Sequence, residues 1–271
     1  MPELPEVETT VRSLRREVLK RTFVRAWPQM LLEGMRIEDI YRQGKCIVFS
    51  LQDGKSLFVH LRMTGHFLVG KWKMVDGEWE SEEEIMQDKR NKFLRFMFLF
   101  DDGKQLALSD QRKFADVRLL SSFELKNYLS SLGPDIMSLQ KEEFKKMLHQ
   151  KKREIKPLLM DQKFISGMGN IYAAEALHMA QIHPAKRSHL LSSVEAEKLH
   201  DCSLKVLKKS IELQGDSTSD YRLIDGTKGG YQEEHLVYNR KDCSCFTCGG
   251  KIKRIILGSR GSYYCPYCQK L

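Results

Sequence analysis

Residues 243–270 read "CSCFTCGGKIKRIILGSRGSYYCPYCQK". Two Cys-x2-Cys pairs, Cys245/Cys248 and Cys265/Cys268, stand sixteen residues apart. A pair on a tight turn offers two thiolates, and a hairpin between the pairs brings the turns together. The spacing therefore predicts four ligands around one structural Zn2+ in a zinc ribbon; a redox pair is the weaker alternative. Four thiolates leave no open coordination position, so such an ion holds structure and does no catalysis. Cys243 is one residue from Cys245, an awkward spacing, and reads as a spare. Cys46 and Cys202 read as packing residues. Lys251, Lys253, Arg254 and Arg260 lie between the pairs. Cations on a rigid hairpin suit phosphate contact; a merely solvated basic hairpin is the plainer reading.

Upstream of the ribbon, residues 214–231, "QGDSTSDYRLIDGTKGGY", are polar and glycine-rich, a long loop of the kind that is usually functional or disordered. Helical patterns fill the stretch before it, back to "SLGPD" at 131–135, a Gly-Pro break that marks a domain boundary. From about residue 22 to 120 the texture is that of strands. "KCIVFSLQDGKSLFVHLRMTG" (45–65) and "NKFLRFMFLFDDGKQLALSD" (91–110) each read strand, Asp-Gly turn, strand. A β sandwich or barrel follows. Residues 71–91 read as a charged surface connection.

The chain opens "MPELPEVETTVRSLRREV". Val7, Val11, Leu14 and Val18 are spaced four, three and four apart, the stripe of an amphipathic helix. Pro5 suits its first turn, where a missing N–H costs nothing. If Met1 is removed, Pro2 becomes a terminal secondary amine. Such an amine titrates near ~8 against ~10.4 for lysine, and the helix start lowers it further. Attack on a sugar C1′ would give an iminium, covalent catalysis of the Schiff-base type. Glu3 and Glu6 stand beside it and could move protons. Ordinary helix capping explains the same residues without catalysis.

The 271 residues carry 45 Lys+Arg against 36 Asp+Glu, a net +9, which favours a polyanionic partner without requiring one. Apolar runs are short and broken by charge, which excludes a membrane span, and the N-terminus lacks a secretory pattern. An intracellular, reducing location is expected, so the cysteines are not read as disulfides.

"PELPEVE" (2–8) joined to a four-cysteine tail resembles the formamidopyrimidine-DNA glycosylase and endonuclease VIII family. The likeness continues through "YRQGK", "VHLRMTG", "SDQRKFADVRL", "LGPD", "KPLLMDQKFISGMGNIYAAEAL", "HLVYNR" and "GSRGSYYCPYCQK". The opening and the "RKF" stretch look like the formamidopyrimidine branch. The resemblance implies a multi-domain α+β fold. An N-terminal helix on a two-sheet β sandwich (1–128) would be followed by a helix–two-turn–helix domain (133–239) that includes a lesion-capping loop at 214–231. A zinc ribbon (240–271) would end the chain, with DNA lying across the cleft between the domains.

Carried over by matched position, Pro2 is the Schiff-base nucleophile and Glu3 assists base loss and ring opening. Lys45 serves proton transfer in β-elimination, and Arg260 serves δ-elimination. Met63, Arg112 and Phe114 match the family's intercalating trio, although burial in the sandwich would explain Met63 and Phe114 equally well on sequence grounds. Asn170 begins a helix after a glycine-rich turn, a favourable phosphate site. His60, Lys151, Tyr238 and Arg254 fall at or beside other phosphate-contact positions. Thr218, Tyr221 and Thr227 could meet a purine edge.

The chain departs from the family pattern at Phe93 and Arg95 ("KFLR" for KHxH), at Gln150 beside Lys151 and Lys152, and at Gly215-Asp216 in place of paired glycines. The resemblance implies a monomeric base-excision-repair enzyme acting on damaged double-stranded DNA. It would remove oxidised purines and cut abasic sites by β,δ-elimination. The alternatives are an endonuclease VIII-like preference for oxidised pyrimidines, and a non-catalytic lesion binder in which retained Met1 blocks Pro2.

Overall fold

A computed structural model of the protein describes residues 1–271. The first helix, α1, spans Leu4–Val18. Leu4, Val7, Val11, Leu14 and Val18 form its buried stripe, each 4% exposed or less. Glu6 in the first turn and Arg15 and Arg16 in the last suit the helix dipole. Lys20, at φ +65°, turns the chain away after the helix.

Ten strands follow: β1 Phe23–Trp27, β2 Ile37–Gln43, β3 Cys46–Leu51, β4 Ser56–His60, β5 His66–Gly70, β6 Lys73–Val75, β7 Glu78–Glu80, β8 Leu94–Phe100, β9 Gln105–Ser109 and β10 Asp116–Leu120. Two four-stranded antiparallel sheets form, ordered β1-β8-β9-β5 and β10-β4-β3-β2. Ile47, Phe49, Leu57 and Val59 of one sheet meet Phe23, Phe67, Phe98 and Leu108 of the other, with the α1 stripe closing the same core. Phe49 and Phe67 touch edge to face at 6.0 Å across the two sheets.

Strand β3 is apolar on both faces because both are covered. Ile47 and Phe49 point into the sandwich, while Cys46 and Val48 pack with Leu125 of helix α2, Ser122–Ser130. The charged stretch 71–91 holds more structure than a surface connection. It contains the β6–β7 hairpin and buries Trp72 and Met86 against Leu68, Met97 and Ala107. Charge at most of its positions masked those two anchors.

The remaining helices are α3 Lys141–His149, α4 Ile155–Leu159, α5 Asn170–Ala180 and α6 Ser193–Glu212. Alanines at 173, 174 and 176 let α5 sit deep, and Tyr172 joins Ser210 of α6 at 2.7 Å. Gly133 of the "LGPD" break has a steric reason to be glycine. A Cβ there would lie 2.3 Å from the Phe164 carbonyl oxygen. Strands β11 Lys253–Leu257 and β12 Arg260–Tyr264 make the terminal hairpin, turned through Gly258 and Ser259, both at positive φ.

By packing, the chain forms two compact units, Met1–Ser130 with Leu213–Gln232, and Ser131–Glu212 with Glu233–Leu271. The sequence reading put 214–231 with the helical domain. The loop instead packs with the first unit, because its main chain bonds to α1, β5 and Asn91 of that unit.

Candidate nucleic-acid and catalytic site

The head of the chain is fixed residue by residue. Pro2 and Glu3 are buried, and exposed Met1 precedes them. Glu3 is the N-cap of α1, and its N–H donates to Glu6 Oε2 at 2.6 Å, the returning half of a capping box. Glu6 Oε1 accepts the Asp216 N–H at 2.9 Å, and the Glu6 carbonyl accepts the Tyr221 hydroxyl at 3.1 Å. Glu6, which sequence places beside Glu3 as a group that could move protons, stands 1% exposed with both carboxylate oxygens on main-chain donors.

Lys45 follows Gly44 (φ +56°) in the two-residue turn between β2 and β3 and is 5% exposed. His60 pairs with Cys46 in the neighbouring strand. Burial, then the charges of Arg62 and Lys45, push the His60 imidazole down to about 3, so it stays neutral. Its Nδ1 accepts the Arg62 N–H at 3.0 Å, which leaves Nε2 carrying the proton. A neutral ring with one N–H can donate to a phosphate oxygen without charge.

Met63, Arg112 and Phe114 sit on two turns that are linked through Asp110. This carboxylate is fully buried and takes the Thr64 hydroxyl on one side and the Arg112 and Ala115 N–H groups, at 3.2 and 2.7 Å, on the other. Thr64 Oγ1 also accepts the Arg112 N–H at 3.1 Å. Phe114 is 53% exposed, with the Arg112 guanidinium 4.7 Å from its ring centre, so the reading of Phe114 as a buried sandwich residue does not hold. Met63 is half-buried. An exposed aromatic held beside a cation is the shape of a wedge. Arg95, one of the departures, donates from Nε to the Asp110 carbonyl at 3.0 Å and so buttresses these turns. Asp110 escaped the sequence reading; an acid beside "QRKF" looks like a solvated counter-charge.

In the second unit, Asn170 is the first residue of α5, after the N-cap Gly169. Its Oδ1 accepts Lys156 Nζ at 2.7 Å. Lys156 is fully buried and also donates to Gly261 O at 3.2 Å and Ser262 Oγ at 2.9 Å. With Oδ1 held by an ammonium, the Asn170 amide NH2 is the part left for a phosphate. Lys156 too was missed, although a lysine among Ile155, Leu158 and Leu159 on one short helix was a signal of burial. Glu175 of the same helix accepts the N–H groups of Leu236, Val237 and Tyr238 at 2.7–3.0 Å and fixes "HLVYNR". Tyr238 meets Tyr263 edge to face at 5.3 Å. Arg254, Arg260 and Lys151 are exposed, and Arg254 lies 6.0 Å from the Tyr263 ring.

The four sulfurs of Cys245, Cys248, Cys265 and Cys268 lie within 4.8 Å of one another. Zn–S bonds of ~2.3 Å in a tetrahedron place sulfurs roughly 3.8 Å apart, and the pairs Cys245/Cys268 and Cys248/Cys265 stand at 3.9 and 3.4 Å. The site fits one structural zinc, and Cys243 stays outside it. Gln269 braces the knuckle, accepting the Cys265 N–H at 2.9 Å and donating to the Ile182 carbonyl at 2.8 Å.

Residues 1–117 match the formamidopyrimidine-DNA glycosylase N-terminal domain, 132–222 its H2TH domain, and 245–271 the zinc finger found in FPG and IleRS. A curated formamidopyrimidine-DNA glycosylase of Desulforamulus reducens is 35% identical, over 100% of this chain and 99% of that protein. The Lactococcus lactis Fpg in complex with abasic-site DNA aligns at TM-score 0.86 and 30% identity over 100% of both chains. A variant of that protein with Fapy-dG containing DNA aligns equally well, at TM-score 0.86, 30% identity and 100% of both chains. A helix-led two-sheet unit, an H2TH unit and a four-thiolate ribbon thus recur over the full length of these relatives, and the chain belongs to the formamidopyrimidine-DNA glycosylase family.

Proposed function

We propose that this DNA glycosylase excises oxidised purines, formamidopyrimidines and 8-oxoguanine, from duplex DNA and then cleaves the abasic strand through Pro2. The observation that carries the reading is the head of α1. Pro2 is buried next to a Glu3 whose own amide is bonded to Glu6, so a terminal amine there is held in one place.

The chemistry begins with extrusion of the nucleotide, at a cost of a few kcal/mol. Phe114 and Met63 fill the gap and Arg112 pairs with the orphaned base. The Pro2 nitrogen, as the amine left after Met1 removal, bonds to C1′. The glycosidic bond breaks and its electron pair leaves with the base, which takes up a proton. The proton the amine sheds on bonding balances the one the base takes up. Glu3 then assists ring opening by giving a proton to O4′, which keeps the electron pair of the broken C1′–O4′ bond as the nitrogen lone pair forms an iminium. Loss of the C2′ proton then expels the 3′ phosphate, with Lys45 managing that proton. A second elimination, served by Arg260, expels the 5′ phosphate. His60, Asn170, Lys151, Tyr238 and Arg254 hold phosphates of the strand. Zinc on the four cysteines would hold the hairpin that carries Arg254 and Arg260.

The test is a panel of duplexes carrying oxidised purines, oxidised pyrimidines or undamaged bases, assayed for excision with protein verified by mass to begin at Pro2. Faster release of formamidopyrimidine and 8-oxoguanine than of any pyrimidine lesion is the expected outcome. A pyrimidine preference would transfer the reading to the endonuclease VIII type, and no release at all would make the protein a binder.

A further inference from the structure

We propose that Glu6 is a positioning residue that couples the loop 213–232 to the Pro2 nucleophile. The inference rests on the reading of Pro2 given above and concerns how that amine is held. One carboxylate joins two main-chain amides. Oε2 takes the Glu3 N–H at 2.6 Å, the amide of the Pro2–Glu3 peptide, and Oε1 takes the Asp216 N–H at 2.9 Å, in the loop. A carboxylate is planar and rigid, so any rotation that follows Asp216 also moves the acceptor under Glu3.

The contact is built tightly from the loop side. Gly215 stands at φ +87°, and a Cβ on it would meet Glu6 Cγ and Oε1 at 3.1 Å and Tyr221 Cε1 at 3.2 Å. Gly229 crosses close to the same neck, where a Cβ would lie 2.4 Å from the Gly215 carbonyl oxygen. The Tyr221 hydroxyl adds a second strut, reaching the Glu6 carbonyl at 3.1 Å. Asp216 stiffens the joint: its carboxylate takes the Thr218 N–H and hydroxyl, both at 3.1 Å.

Farther along, the loop is fastened to the sandwich by Val69 N–H to Ile224 O (2.7 Å), Asn91 Nδ2 to Gly226 O (3.3 Å) and Arg90 beside Asp220 (3.5 Å). A loop seated on these points presents Asp216 to Glu6. A loop that lifts takes Asp216 with it and leaves a buried carboxylate oxygen short of a donor, an expensive state. The amine is therefore fully positioned only while the loop is down.

Two readouts test this on the whole protein beginning at Pro2: borohydride trapping on a preformed abasic duplex, which needs no base excision, and amide hydrogen exchange in peptides covering 2–8 and 213–232. Glu6→Gln keeps the shape but replaces one acceptor with a donor. The expected result is faster exchange in both peptides, trapping slowed on the order of tenfold and an unchanged pH–rate profile. Asp220→Asn, remote from α1, should slow trapping in the wild type and add nothing in the Glu6→Gln background, since distant residues lose additivity only when they act through one shared network. Should Glu6→Gln fail to fold, Gly215→Ala pushes the same joint from the loop and should reproduce both effects. Trapping at the wild-type rate in these variants, additive losses, or loss of one limb of the pH profile in Glu6→Gln would overturn the coupling, the last by making Glu6 a proton carrier. Absence of trapping in the wild type would instead sink the Pro2 reading itself.

Discussion

Three buried charged groups outside any catalytic role decide how the site is presented. Lys156 fixes the Asn170 amide and ties it to Gly261 and Ser262 of the ribbon. Lys156→Met should weaken binding of an abasic-analogue duplex about tenfold, the same as Asn170→Ala, and the double variant should lose little more. Affinity titration of the three variants checks it, and independent, additive losses would contradict it. Asp110 plays the matching part for the wedge. Asp110→Ala leaves the Ala115 amide and the Thr64 hydroxyl without their carboxylate acceptor, and the Arg112 amide with Thr64 Oγ1 alone, and should cost about 2 kcal/mol of stability, read by denaturant unfolding. Sequence made Asn170, Arg112 and Phe114 legible through motifs, since the motifs themselves hold the residues proposed to meet the ligand. Lys156, Asp110 and Glu175 were not legible as supports. Lys156 and Glu175 find partners far along the chain, Lys156 to Ser262 for example, and Asp110 reaches back to Thr64, so only folding brings these groups together.

Among the elements, the ribbon was the most readable, because metal spacing is a local property of the chain. Its hairpin, with Gly258 and Ser259 in the turn, follows from the same residues. Removing zinc with a chelator should unfold residues 243–270, since the four metal bonds are lost and the remaining core is small, Ile252 and the buried cysteines against Ala174 and Val237. Loss of duplex affinity should accompany it, with the β sandwich still folded. Circular dichroism and binding, before and after chelation, check both; an intact affinity in metal-free protein would contradict it. The loop 213–232 was readable as a loop but not as part of the first unit. Its polar sequence gave no apolar anchor to assign, and its fastening is through main-chain groups that any sequence possesses. The β6–β7 hairpin was hidden for a related reason: two residues, Trp72 and Met86, do the packing within a charged stretch.

For the molecule as a whole, the +9 charge and the exposed cations predict that affinity for DNA falls steeply with salt, with a linear dependence on the logarithm of salt concentration. Stability has its own pH dependence. His66 is buried, bonded to Asn91, and burial pushes its imidazole down to about 4 from the ordinary 6.5. The unfolded chain takes up this proton below about 6.5 and the fold refuses it until about 4, so its stabilising contribution is complete above pH 6.5 and is lost as pH falls toward 4. The loss reaches roughly 3 kcal/mol, and His60 acts in the same direction down to about 3. Unfolding midpoints measured from pH 7 to pH 4 should fall for the wild type and flatten for His66→Gln; parallel curves would contradict this. No helix is long and apolar enough to cross a membrane. The whole-chain function was legible only because head and tail motifs occur together, since neither net charge nor a zinc ribbon specifies a reaction. The central claim is that the amine of Pro2 is the nucleophile, and the site of the covalent bond tests it most directly. After borohydride reduction on an abasic duplex and tryptic digestion, mass spectrometry should find the DNA remnant on the peptide beginning at Pro2 and nowhere else. A remnant on Lys45 or any other lysine, or no adduct on a chain that begins at Pro2, would contradict the account.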